Sequence, residues 1–176
     1  MPARGRVSAR TARLLLGVVL VVGFAADQLT KQLVLARLQP DEPVRLLGGL
    51  LTLRLIFNSG AAFGMGQDLT IVFSLLSLVV LVGVLVVLAP RVRHRGWALA
   101  LGLLCAGVCG NLTDRLVRPP AVLHGHVVDF LVLPYFPAIF NVADVCVTAA
   151  AVLIGWISLF GHATLAGEVP VEEGRS

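Results

Sequence analysis

The chain has 176 residues, 57% of them apolar, and a mean hydropathy of +0.92. Soluble domains average roughly 45–50% apolar residues, so the excess points to lipid rather than water as the solvent. A formal charge of +4 and a pI near 9.6 do not make a nucleic-acid binder: the arginines bracket apolar runs instead of lining one face, and no aromatic residues interleave with them.

In chain order, Arg4, Arg6, Arg10 and Arg13 precede the first apolar run. A spanning helix needs about 20 mostly apolar residues. The stretches near 14–35, 69–89, 97–113 and 139–160 meet that need. Arg91, Arg93 and Arg95 fill the gap between the second and third. Both arginine-rich segments are cytoplasmic by the positive-inside rule, and an even number of spans returns the C-terminus to that side. Residues 1–165 then form one integral-membrane domain, with 166–176 a polar cytoplasmic tail expected to lack fixed structure. The first run also resembles a cleavable signal peptide. A cut after Ala26, however, puts Phe24 where a small residue is needed, and the helical pattern runs on through Arg37, so a retained span is expected.

Two loops fall on the outer side. In the larger, Leu51, Leu53 and Leu55 alternate with Thr52, Arg54 and Ile56, the period of a strand, and the NSG at 58–60 follows as a turn. The second, from Asp114 to about Ala138, is proline-rich and contains HGHVVDF. The expected fold class is an all-α membrane protein of four transmembrane helices carrying a small β-rich platform on its outer face.

The third span travels outward and ends in GNLTDRL; the fourth starts outside with FNVAD. Asp114 and Asp144 therefore share one depth, and each follows an asparagine by three residues, Asn111 and Asn141. On a helix that spacing shares a face. Either aspartate alone has a structural reading, Asp114 paired with Arg115, or Asp144 as a helix cap. Matched at one depth they read as a functional pair, because a charged Asp at a helix centre in the bilayer costs about 2.5–3.5 kcal/mol. Two close carboxylates share one proton. The charged one takes a proton from water; the protonated one polarises a carbonyl and helps the amine depart. That chemistry is peptide hydrolysis without metal or covalent nucleophile. Cys105, Cys109 and Cys146 form no CxxC and read as packing residues. His124 and His126, with Asp129 as the nearby third ligand, lack a fourth, so no metal or other cofactor is expected.

DQLTK (27–31), NSGAAFG (58–64), GNLTDRL (110–116), VVDFL (127–131) and FNVAD (140–144), in this order, resemble the lipoprotein signal peptidases (signal peptidase II) of bacteria. The resemblance implies an aspartic endopeptidase of the inner membrane. It would cut diacylglyceryl-modified prolipoproteins on the N-terminal side of the lipidated cysteine, as a monomer in contact with membrane lipid. It places the catalytic pair on Asp114 and Asp144. Asn58 becomes a substrate-facing residue, with Gly60 allowing close backbone approach. Asn111, Arg115 and Asn141 orient substrate and carboxylates. Asp27 and Lys31 pair and hold the bundle, and Asp129 is structural. Val145 after the FNVAD box and Cys109 before GNL depart from the usual pattern without touching a carboxylate.

The competing class is a proton-coupled transporter or channel subunit using Asp27, Asp114 and Asp144 as a relay. The inner halves of spans two, three and four carry no ionisable residue to continue such a path. A four-span assembly factor is a weaker rival, and the GxGD motif of presenilin-like proteases is absent.

Overall fold

The computed structural model describes residues 5–40, 42–60, 70–161 and 163–168. The second half of the NSGAAFG box therefore lies outside the described residues. Helix α1 runs Ala9–Arg37, started by Ser8, whose side chain accepts from the Thr11 amide. Helix α2, Thr70–Val82, continues through a wider π-type turn, Gly83–Leu88, and a tight turn, Ala89–Arg91. Helix α3 spans Arg95–Val117, and α4 spans Val142–Trp156 with a π-type extension to Gly161. All four are long and apolar enough to cross a membrane, as expected.

The fourth helix starts later than the apolar run because Phe140 is extended. Its N–H donates to the Leu131 carbonyl (3.1 Å), and its own carbonyl accepts from Phe130 and Leu131. Asn141 then caps the helix.

Helix α3 is the centre of the bundle. Half of its spanning window is buried, against 11–22% for the other three, so α1, α2 and α4 pack around it. Its buried face is built from small residues, Ala98, Ala100, Gly102, Ala106, Gly107 and Gly110, which let backbones approach without a hydrophobic driving force. A Cβ on Gly107 would sit 2.3 Å from the Ala143 carbonyl oxygen, so only glycine fits the α3–α4 crossing. Large apolar side chains such as Leu76, Val79 and Val152 face outward, toward what would be lipid.

One end of the bundle carries a three-stranded antiparallel sheet, order β1-β2-β3, formed by β1 (Val44–Leu46), β2 (Leu51–Asn58) and β3 (Val127–Val132). The expected strand over 51–56 is β2. Its partner β3 is the apolar VVDFLV stretch of the second loop. Leu55, Val128 and Phe130 bury against Val34 near the end of α1, which fixes the sheet on the helices.

At the opposite end, Ala12, Leu16, Val92 and Leu101 form a second core cluster. There Val7 donates to the Arg93 carbonyl, Arg93 to that of Leu165, and the Trp97 indole to that of Ala163. The segment just before the polar tail is thus packed against the bundle. Gly167 lies against Arg6 and the Arg93 carbonyl, and residues 169–176 fall outside the description.

Candidate active site

The polar core begins on α1. Asp27 and Lys31, one turn apart, pair at 2.9 Å with no exposure of either side chain. The Lys31 ammonium also reaches Asp114 at 2.8 Å and the Asn111 side-chain oxygen at 3.0 Å. Its three protons thus meet three acceptors. The other Asp27 oxygen accepts from the Ala143 amide at 2.9 Å, satisfying one of the free N–H groups at the start of α4. Asp27 and Lys31 therefore tie α1 to both α3 and α4.

Asp114 is buried between two cations. Arg118 Nε stands 2.6 Å from one oxygen, and Lys31 and the Val128 amide (3.2 Å) engage the other. Each of its oxygens thus meets a cation. Asp114 holds the α3 end to the start of β3.

Asn141 organises the rest. Its side-chain oxygen accepts from the Asp144 amide (3.0 Å), while an Asp144 oxygen accepts from the Asn141 amide (3.1 Å), a reciprocal capping box. The Asn141 amide group donates to Asp129 at 2.7 Å and to Asn111 at 3.1 Å. Asn111 in turn donates to Asp144 at 2.8 Å. Asn58, at the end of β2, donates to the second Asp129 oxygen at 2.8 Å, and its own oxygen accepts from the Gly60 amide. Gly60 has φ +113, a conformation that suits glycine there.

Asp129 and Asp144 are thus both held by one residue, Asn141. Among the described residues neither is ion-paired. Asp114 and Asp144, the pair expected from the sequence, are not hydrogen-bonded to each other among the described residues. Lys31 and Asn111 link them in series.

Burial pushes the Asp129 carboxyl up to about 6, and the nearby Asp144 charge adds to this, while Asn58, Asn141 and Lys31 oppose it. Arg115 interacts with the charges of Asp129, Asp144 and Asp114, and its buried Nε has no hydrogen-bond partner among the described residues. His124 is exposed and His126 lines a cavity of about 320 Å³ with Phe57, Arg118 and Pro119. Among the described residues no cluster of His, Cys, Asp or Glu is placed to hold a metal.

An apolar cavity of about 560 Å³ lies between residues 133–140 and the first turns of α4. Asp144 is the ionisable group in its wall, beside Phe136, Phe140, Val145 and Thr148. The site therefore sets a carboxylate pair, a buried guanidinium and an apolar groove side by side. Sequence reasoning passed over Asp129 as a catalytic residue. The signal available was a single carboxylate inside the apolar strand-like run VVDFLV.

A multi-pass membrane protein with a carboxylate cluster at one end of its bundle is the class that this fold and site define. The chain belongs to the signal peptidase II family: the family model described as signal peptidase (SPase) II matches residues 19–160. It is 43% identical over 160 residues to the lipoprotein signal peptidase of Leifsonia xyli subsp. xyli, covering 91% of this chain and 73% of that protein. It is 44% identical over 149 residues to the lipoprotein signal peptidase of Rhodococcus jostii, covering 85% and 74%. A solved bacterial membrane enzyme superposes with a TM-score of 0.71 at 25% identity, over 98% of this chain and 99% of that one.

Proposed function

We propose that this chain is an aspartic endopeptidase that cuts prolipoproteins on the N-terminal side of a diacylglyceryl-modified cysteine, with Asp129 and Asp144 as its catalytic pair. This reading moves the second carboxylate from Asp114, expected from the sequence, to Asp129. The observation that carries it is the Asn141 bridge: it joins two carboxylates free of ion pairs among the described residues, while Asp114 is committed to Lys31 and Arg118.

In the proposed reaction Asp144 is the base. Its oxygens accept from the Asn111 side chain and the Asn141 backbone N–H at the start of α4, and it stands in the wall of the apolar groove. Asp129 carries the proton. Water attacks the scissile carbonyl carbon, giving one proton to Asp144 while Asp129 protonates the carbonyl oxygen. The tetrahedral species then collapses: the C–N bond breaks, the amine takes the proton from Asp144, and the hydroxyl returns one to Asp129. Arg115 offers its Nε, unpartnered among the described residues, to a substrate peptide oxygen, and the apolar groove takes the flanking chain.

Arg6, Arg10, Arg13, Arg91, Arg93 and Arg95 are exposed at the end opposite the sheet. By the positive-inside rule that end and both termini are cytoplasmic, and the site faces outward across the inner membrane. A transmembrane proton relay is not favoured, because Asp27, Asp114, Asp129 and Asp144 gather at one end of the bundle.

Purified protein in a bilayer should shorten a lipidated prolipoprotein but leave the unlipidated form uncut at matched concentration. Two acyl chains contribute about 0.8 kcal/mol per CH₂ to anchoring, which fixes the height of the scissile bond and offsets the cost of unwinding it. Equal rates for the two substrates would overturn the lipid requirement; no mass loss for either would overturn the peptidase reading.

The pH profile follows from Asp129. Its pKa is raised, so the protonated form needed for catalysis is lost as pH rises through about 6 in the free enzyme. The kcat/KM profile should be bell-shaped with its alkaline limb there, and the kcat limb should lie higher because bound substrate desolvates the pair further. A rate that keeps climbing into alkaline pH would contradict a shared proton.

A further inference from the structure

The turn joining β1 to β2 plays no part in the site, yet its composition is unusual for a turn. Leu47 and Leu50 are 76% and 68% exposed. Leu47 sits at φ 51, a left-handed conformation that L-residues with side chains avoid, and Gly48 and Gly49 follow with φ 67 and 94. A polar residue or asparagine would suit this turn in water. Two leucines at its tip call for an apolar neighbour.

The strands continue the pattern. Val44 faces Leu53 and Leu46 faces Leu51 across the ladder, so these four share one face of the hairpin. Leu53 packs on the cluster of Leu55, Val128 and Phe130, so the apolar face runs from the anchored part of the sheet out to the tip. Arg45 pairs with Thr52 on the opposite face, exposed, and the exposed Arg54 stands two residues beyond Thr52. Arg37, exposed in the last turn of the spanning helix α1, precedes the hairpin by a short loop.

We infer that the β1–β2 hairpin is a membrane-surface anchor: its tip and apolar face insert into the leaflet on the sheet's side, and Arg45 and Arg54 meet anionic phospholipid headgroups. An element with one apolar and one basic face is what the bilayer interface binds. The leaflet is adjacent by construction, because the same chain enters it through α1. β2 also carries Asn58 and pairs Ile56 with Asp129, so seating the hairpin sets the height of Asp129 relative to the lipid. The inference does not depend on which carboxylates are catalytic.

Leu50 has an ordinary backbone (φ −67), so tryptophan fits there without strain. The full chain carrying Leu50→Trp is placed in vesicles of phosphatidylcholine and phosphatidylglycerol, and the parent chain supplies the signal of Trp97 and Trp156 for subtraction. The added emission should shift to the blue, be quenched by lipids brominated in the upper acyl chain, and resist aqueous iodide. Leu47→Trp should behave alike. Arg45→Gln with Arg54→Gln, or vesicles without phosphatidylglycerol, should weaken the bromolipid quenching. Quenching by iodide and not by bromolipid would overturn the anchor. Protection from both quenchers that disappears as protein is diluted in lipid would overturn it in favour of a second copy covering the face. Bromolipid quenching indifferent to both charge changes would overturn the headgroup role.

Discussion

Asp144→Asn and Asp129→Asn should each reduce cleavage by about 10²- to 10⁴-fold, the usual contribution of a positioned acid or base, while the protein still inserts and folds. An amide keeps the shape of either side chain but cannot exchange the proton. At Asp129 the change swaps one acceptor for a donor between Asn58 and Asn141, at a cost of about 1 kcal/mol. At Asp144 it disturbs one arm of the capping box, at a similar cost. Cleavage of lipidated substrate, divided by the folded fraction from a thermal melt, separates the lost chemistry from the small loss of stability. A folded Asp129→Asn protein with near-normal turnover would return Asp129 to a structural role.

The second large effect is on stability. Asp114→Ala leaves Lys31 and Arg118 facing an empty acceptor inside the bundle, and Lys31→Met leaves Asp27 and Asp114 without their shared cation. Removing one partner of a buried ion pair costs about 3–5 kcal/mol, because the other charge stays buried and unpaired. Both variants should melt well below the parent in detergent and accumulate poorly. Unchanged melting for Lys31→Met would mean that the network contributes little to the fold.

The spans were legible because lipid leaves few options: each needs a long apolar run, and the arginines mark where the runs stop. The strand over 51–56 was legible from its period of two. Depth along the membrane normal was legible too, since it follows from counting residues along a helix. Lateral neighbourhood was not. Asp114 and Asp144 leave their helices near one level, yet Lys31 of α1 and Asn111 stand in the line of contacts between them. No pattern within α3 or α4 announces a residue from α1. Asp129 reaches Asn141 because β3 pairs with β2, placing Asp129 opposite Ile56, and because Phe140 extends to pair with Leu131. That register is set by long-range backbone pairing, which the VVDFL box alone does not encode. The packing of Ala163 and Leu165, just before the tail, was hidden for a related reason: their carbonyls accept from Trp97 and Arg93, contacts that sequence pattern alone does not reveal.

In the proposed mechanism Asp129, and not Asp114, shares the proton with Asp144. The most direct measurement is cleavage per folded molecule for Asp114→Asn and Asp129→Asn, side by side on one lipidated prolipoprotein. Folded Asp114→Asn protein should still cut, though less of it survives purification, whereas folded Asp129→Asn protein should not. Loss of all cleavage in well-folded Asp114→Asn protein, with activity kept in Asp129→Asn, would contradict it.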